Sequence, residues 1–410
     1  MGNTLSLVIA SLRNRSTTAL LTVASIAVSA ALLSGVDRLR SDAQASFENT
    51  ISGTDLIIGA RSGELNLLLY TVFRIGSPTN NVAWDSFEQI ASRREVAWAI
   101  PISLGDAHRG YRVLGTDRSY LEHYQYADQR SLELSSGEWF ETASQAVVGA
   151  EVAERLGYAV GQEIVVSHGV AETSFVTHDD DPFVLSGILA PTGTPIDRTV
   201  HISLRGMDLI HAKDPEHDAN GAAAGYEPEE ITAVLVGLKS RIAVFTMQRF
   251  VNEFEPEPLS AIIPGVALQQ LWGLVGAAEY ALFGVSAMVV LAGALGLLTT
   301  LLVSLNERRR EMSVLRSVGA SPGHVFGLLV AEAALLGFVG ALSGLAVVQV
   351  AVLASRQWLQ HSIGIQLQVG LRPFDLYVLF GIVLLAVLMS TIPAWRAYRN
   401  SLADGLTVRL

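Results

Sequence analysis

Apolar and polar positions alternate along this chain in two regimes. Four long runs carry almost no charge: Ser16 to Val36, Tyr280 to Leu305, Pro322 to Ala354 with the single acid Glu332, and Leu376 to Trp395. Each reaches the ~20 apolar residues that a helix needs to cross a bilayer. Between the first two runs the pattern shortens. "TDLIIGA", "EVAWAIPISLG", "YRVLGT", "QEIVVSH", "PFVLSGIL", "TVHISL" and "ITAVLVGL" are short, β-rich and bounded by Gly, Pro or Asp, as strands are. "AEVAERLG" reads as a short helix stopped by Gly157, and residues 240–254 as a longer amphipathic helix. The polar run 211–230 reads as a loop, and the Pro-marked residues 252–265 as a linker back to the membrane. The predicted architecture is an α-helical membrane protein: four transmembrane helices, with a large α+β domain inserted between helices 1 and 2.

Composition supports that reading and charge orients it. Half of the 410 residues are hydrophobic, 16% are charged and the mean hydropathy is +0.38. Residues 37–270 hold a net charge of −16, which leaves +5 on the rest for the overall −11. The arginines beside the spans (Arg13 and Arg15, Arg308–Arg310 and Arg316, then Arg396, Arg399 and Arg409) mark three cytoplasmic pieces, so the acidic domain lies outside. The first run is longer than a signal-peptide core of about 7–15 residues and reads as an uncleaved anchor. The predicted order is a cytoplasmic amphipathic segment 1–15, helix 1 at 16–36, the external domain with its linkers at 37–270 and helix 2 at 277–305. A cytoplasmic segment at 306–321, helix 3 at 322–354, an outer loop at 355–373, helix 4 at 374–395 and a cytoplasmic tail at 396–410 follow. The sequence has no cysteine, so the domain must be held by its own core.

Enzyme chemistry finds little support. The phosphate-cradling G-x-x-x-x-G-K-[ST] loop, H-E-x-x-H and C-x-x-C are all missing. "GASPG" (319–323) satisfies G-x-S-x-G, but that elbow needs a preceding strand with Asp and His partners. Here Gly319 reads as a helix stop, Ser321 as an N-cap and Pro322 as the first residue of the next helix. Seven of the nine histidines fall in the external domain. His178 and Asp180, with His211 and His217, form weak metal candidates, because the close spacing of zinc ligands is missing. Glu332 lies about 15 Å into helix 3 and reads as a structural acid facing other helices; Glu279 is expected at the outer interface. Small residues recur every fourth position at Ala27, Ala31 and Gly35, at Ala292 and Gly296, and at Gly340 and Gly344, which permits close helix contact. Between helices 2 and 3, Met312, Leu315 and Val318 share one face of a short basic helix while Arg308, Arg309, Glu311 and Arg316 take the others. Such a helix suits docking into a groove of a cytoplasmic partner.

"ERRREMSVLRSVGASPGHVFGLLVAEAALLGFVGALSGL" (307–345) resembles the signature of FtsX-like, MacB-like ABC transporter permeases, and "IPAWRAYRNSLADGL" (392–406) resembles their close. "DLIIGARSGELNLLL", "VVGAEVAERLGYAVGQEIVV" and "SGILAPTGTPIDRTVHISL" are similar to the family's periplasmic core domain. The resemblance implies a non-catalytic permease of the mechanotransmission type in the bacterial inner membrane, with both termini cytoplasmic. It implies that Glu307, Arg308, Glu311, Met312, Leu315, Arg316 and Gly319 form a coupling helix seated on a separate ABC ATPase. ATP and Mg²⁺ would then be bound by that partner and no cofactor by this chain. Two permease copies with two ATPase copies are implied, together with a periplasmic or outer-membrane partner and no nucleic acid. The implied cargo is a lipoprotein, lipid, peptide or similar envelope substrate. Two other readings stand beside it: zinc-linked transport through the external His and Asp residues, and signalling to a periplasmic hydrolase without transport.

Overall fold

The computed structural model of the protein describes residues 12–13, 15–168, 182–211, 221–307, 319, 321–363 and 367–399. Its helices of seven or more residues are α1 (Ser16–Glu48), α2 (Glu64–Phe73), α3 (Trp84–Ala91), α4 (Ala150–Leu156), α5 (Leu204–His211), α6 (Val244–Asn252), α7 (Pro264–Glu307), α8 (Pro322–Ile363) and α9 (Pro373–Arg399). The principal strands are β1 (Leu56–Ala60), β2 (Val96–His108), β3 (Tyr111–Thr116), β4 (Leu134–Gly137), β5 (Gln145–Val148), β6 (Phe183–Leu189), β7 (Thr199–Ser203), β8 (Ala233–Leu238) and β9 (Leu259–Ile262). The chain divides into two compact units at Asp42/Ala43 and Val275/Gly276, with the short stretch 360–366 grouped with the inserted domain.

The inserted domain is built on one mixed sheet in the order β9-β1-β8-β2-β3-β7-β5-β6-β4, with two short strands (Glu163–Ile164 and Ser167–His168) beside it. Pairing is antiparallel except for β3 with β7 and β5 with β6. β2 and β3 form a tight hairpin through Arg109 and Gly110, both at positive φ (47° and 84°), as a two-residue turn with the sheet's twist requires. All five residues of β1 are buried, and so are all five of β7. That pattern is explained by cover on both faces. On one face Ile57, Ile100, Ile102, Ala233 and Leu235 pack with Leu67 and Leu68 of α2. On the other, Leu56, Ile58, Val234 and Val236 pack with Phe87 and Ile90 of α3 and Val244, Met247 and Val251 of α6. Val113, Ala146, Leu185, Val200 and Ile202 fill a third cluster under β3, β5, β6 and β7.

All seven segments read as strands contribute strand, and Gly157 ends α4 in the left-handed conformation at φ 68°. The linker expectation for 252–265 needs correction: residues 259–262 are an edge strand, pairing Leu259 with Ala60 and Ile262 with Ile57. The apolar run Leu259, Ala261 and Ile262 was masked by the prolines at 256, 258 and 264, which sit just outside the strand and leave its amides free to pair.

In the other unit, α1, α7, α8 and α9 each hold a stretch long and apolar enough to cross a membrane. The helices outrun those stretches. α1 continues through "DRLRSDAQASFE" to Glu48, and α7 begins at Pro264 rather than 277. Charge ends an apolar run but does not end a helix, and neither extension contains an interior proline. Pro264 and Pro373 occupy first-turn positions, where a missing N–H costs nothing.

Candidate functional site

The basic segment expected to dock a partner lies largely outside the described residues, which include none of Arg308, Glu311, Met312, Leu315 and Arg316. Its two ends are described. Glu307 is the last residue of α7; Gly319 takes φ 108°, and α8 restarts at Pro322. The Ser321 hydroxyl accepts from the His324 amide at 3.3 Å and stands 2.7 Å from His324 Nδ1, so it caps α8 as an N-cap serine should. The G-x-S-x-G match is therefore a helix start. Of the metal candidates, His178, Asp180 and His217 lie outside the described residues, and for His211 only the backbone, closing α5, is described. Among the described residues no group of three His, Asp or Glu could hold a metal ion.

Two described histidines of the inserted domain are structural. His108 is bonded to the Val165 carbonyl (2.6 Å) and the Tyr158 hydroxyl (2.8 Å), and burial lowers its pKa. His201 is fully buried on β7 against Tyr120 and Trp139, with ring centroids 5.5 and 6.0 Å away. Burial, aided by the Arg74 cation, pushes its pKa down to about 3, so it is neutral at physiological pH.

Within the helix block, glycine sets how closely α1 is approached. A Cβ at Gly340 would lie 2.7 Å from Ile26 Cβ, and one at Gly344 2.7 Å from Ala30 Cβ, so α8 packs directly on α1. Gly337 meets Ala386 of α9 in the same way. On α7 the expected pair is displaced: Gly296 faces open space, while Gly293 faces Ser25 and Ser29 of α1. The Ser29 hydroxyl is 3.2 Å from the Val289 carbonyl, and Thr22 is 3.4 Å from Thr300. Glu332 is buried on α8, next to Ala333, which packs with Leu297, Leu301 and Ala386.

A buried charge cluster joins α1 to the start of α9. Ser34, Arg38 and Asp42 recur at i, i+4 and i+8, one face of a helix, and each is at most 2% exposed. Asp375, three residues into α9, accepts a hydrogen bond from the Arg372 amide at 2.9 Å, the reciprocal arm of a capping box. The same carboxylate accepts from Arg38 Nη2 at 2.9 Å and from the Ser34 hydroxyl. Arg38 Nη2 also donates to the Gly370 carbonyl (2.6 Å), which accepts from Gln349 Nε2 of α8 as well (2.8 Å). Gly370 has φ 131°, a conformation that favours glycine. Arg372 completes the cluster by pairing with Asp42, which also accepts from the Gln368 amide at 3.3 Å. Two arginines and two aspartates leave it formally neutral. Nearby, Glu279 pairs with Arg40. The stretch 355–373 read as a short loop instead continues α8 as far as Ile363 and, through Arg372, supplies one of the four charges of a buried ion network. Its only sequence signal is the S-x-x-x-R-x-x-x-D spacing at the end of α1, with D placed for a capping box after Pro373.

Four apolar helices with a mixed α/β domain between the first and second define an integral membrane protein with one large extramembrane insertion. The family model described as MacB-like periplasmic core domain matches residues 19–249, more than half of the chain, and that described as FtsX-like permease C-terminal matches 283–402. The chain belongs to this MacB/FtsX-like ABC transporter permease family. It is 22% identical over 408 residues to the macrolide export ATP-binding/permease protein MacB of Nitrobacter winogradskyi, covering 94% of this chain and 57% of that one. It is 23% identical over 287 residues to the pyoverdine export ATP-binding/permease protein PvdT of Pseudomonas aeruginosa, covering 66% and 40%. The chain thus spans about half the length of these relatives or less. Compared with the crystal structure of the periplasmic region of MacB from Actinobacillus actinomycetemcomitans, it gives a TM-score of 0.36 at 10% identity, covering 54% of this chain and 94% of that one.

Proposed function

We propose that this chain is the permease subunit of an ABC transporter in the bacterial inner membrane. It couples ATP hydrolysis by a separate cytoplasmic ATPase to conformational work in the inserted domain outside the membrane. The observation that carries this reading is the consecutive match of both family models, with the core domain placed between helices 1 and 2. The cargo class is a lipoprotein, lipid, peptide or similar envelope molecule. The names of the relatives support export, and each describes an ATP-binding function in the same protein as the permease. The reading places both termini in the cytoplasm, from the arginines that flank the spans. Two copies of the chain work with two copies of the ATPase, and ATP and Mg²⁺ are bound by that partner.

Coupling falls to the basic helix through Glu307, Arg308, Glu311, Met312, Leu315, Arg316 and Gly319. Leu315 is the centre of its apolar stripe, so a charge there opposes insertion into a groove of the ATPase. Leu315→Asp is expected to abolish permease-dependent stimulation of ATP hydrolysis in proteoliposomes, with membrane insertion unchanged. Stimulation at the parental level in that variant would remove the coupling role.

A further inference from the structure

α1 and α8 touch closely at Gly340 and Gly344, yet beyond that crossing they part around a cavity of about 480 Å³. Its wall is almost wholly apolar and includes Ala31, Gly35, Val348, Val352 and Leu359, with Arg38 as the single charged residue among the described ones. Val28, Leu39 and Val347 also border it and are exposed apolar residues, so the cavity opens toward the surroundings of the helix block. Along α1 it extends from Ala27 to Leu39, about 18 Å at 1.5 Å per residue. One leaflet of a bilayer has about 15 Å of hydrocarbon, half of the ~30 Å core. The cavity therefore has the length of one acyl chain lying along one leaflet, and its volume falls within the ~300–1,000 Å³ of small-molecule sites.

The second observation is Arg38 itself. Only 2% exposed, it uses Nη2 for Asp375 and Gly370, while Nε and Nη1 are buried without a hydrogen-bond acceptor. Unsatisfied donors on a buried cation are costly, and more so where no water reaches them. The guanidinium charge is already matched by Asp375, so what these donors lack is an acceptor rather than a second anion. At the border of the hydrocarbon a bilayer offers one neutral acceptor in quantity, the ester carbonyl that joins an acyl chain to glycerol.

We infer that this cavity is a binding site for a bilayer phospholipid, with an acyl chain between α1 and α8 and an ester oxygen at the Arg38 guanidinium, which turns to present Nε or Nη1, both closed off in this conformation. The inference goes beyond the ATPase-coupled reading and depends only on the helix block lying in a membrane. Recognition is through the ester, so it is indifferent to head-group charge.

The test uses the full-length chain in bilayers of phosphatidylethanolamine and phosphatidylglycerol, each in turn carrying a photoactivatable acyl chain. Adducts mapped by mass spectrometry are expected within residues 27–39 and 347–359 with either head group. A Cβ at Gly35 meets nothing within 4 Å, so Gly35→Phe can enter the cavity without a backbone clash. It is expected to lower labelling there about tenfold, the scale of one charge-assisted hydrogen bond plus its lost contacts. Gly296→Phe, at an equally open position on α7 away from the cavity, is expected to leave labelling unchanged. Three results would each overturn the assignment: adducts spread evenly along the four helices, equal labelling in Gly35→Phe, or labelling by one head group alone. A disulfide dimer through Val347→Cys that replaces the lipid adducts would give the cavity to a second copy of the chain instead.

Discussion

Removing the Asp375 carboxylate should damage the helix block more than any single apolar truncation near it. The carboxylate accepts from Arg38 Nη2, from the Arg372 amide and from the Ser34 hydroxyl, and both it and Arg38 are nearly fully buried. Among the described residues, Asp375→Leu leaves the Arg38 guanidinium bonded to the Gly370 carbonyl alone. Breaking one side of a buried ion pair costs about 3–5 kcal/mol, largely because the remaining charge stays desolvated. Arg38→Met, which strands Asp375, is expected to cost a similar amount. Replacing both with apolar residues removes both desolvated charges, and such replacements are often neutral or even stabilising by about 1–4 kcal/mol. Unfolding of the full chain in mixed micelles, titrated with denaturing detergent and followed by tryptophan fluorescence, reads all four members of the cycle. The double variant should be more stable than either single one, and a cluster this buried should respond little to added salt. Single losses below ~1 kcal/mol, or a double loss equal to the sum of the singles within about 0.5 kcal/mol, would refute the coupling argued here.

Other outcomes follow from the same structure. Gly344→Ala places a methyl 2.7 Å from Ala30 Cβ and should destabilise the block by about 1–3 kcal/mol in the same titration, whereas Gly296→Ala, facing open space, should be silent. His201 should make the inserted domain acid-labile. Its folded pKa near 3 lies below the unfolded ~6.5, so the stability is fully present above pH 6.5 and is lost progressively as pH falls toward 3. Between pH 7 and 5 that amounts to about 2 kcal/mol, and His201→Leu should flatten this part of the profile, read by thermal unfolding with Trp139 fluorescence as the local probe. An unchanged slope in His201→Leu would mean that His201 is not the titrating group.

Local composition alone determined the apolar spans, the place of the inserted domain, its strand-rich character and the family. Each is set by a property that neighbouring residues share, whether the length of an uncharged run, an alternation of period two or a contiguous motif. The capped start of α8 at Ser321–Pro322 was legible for the same reason, since capping reaches only three residues. What the tertiary structure decided is everything that depends on rotation about a helix axis or on pairing across the chain. Gly293 rather than Ala292 or Gly296 faces α1, because a one-residue step turns a side chain by about 100° on a helix of 3.6 residues per turn. The residues expected to be a linker became the edge strand β9, because β1 had an open edge to offer them. Ser34 fell inside the first apolar run and Arg38 and Asp42 inside the stretch read as the external domain, and only α9 brought Arg372 and Asp375 to them from more than 300 residues away. A charge's cost or benefit depends on what surrounds it after folding, and no window along the sequence contains both partners.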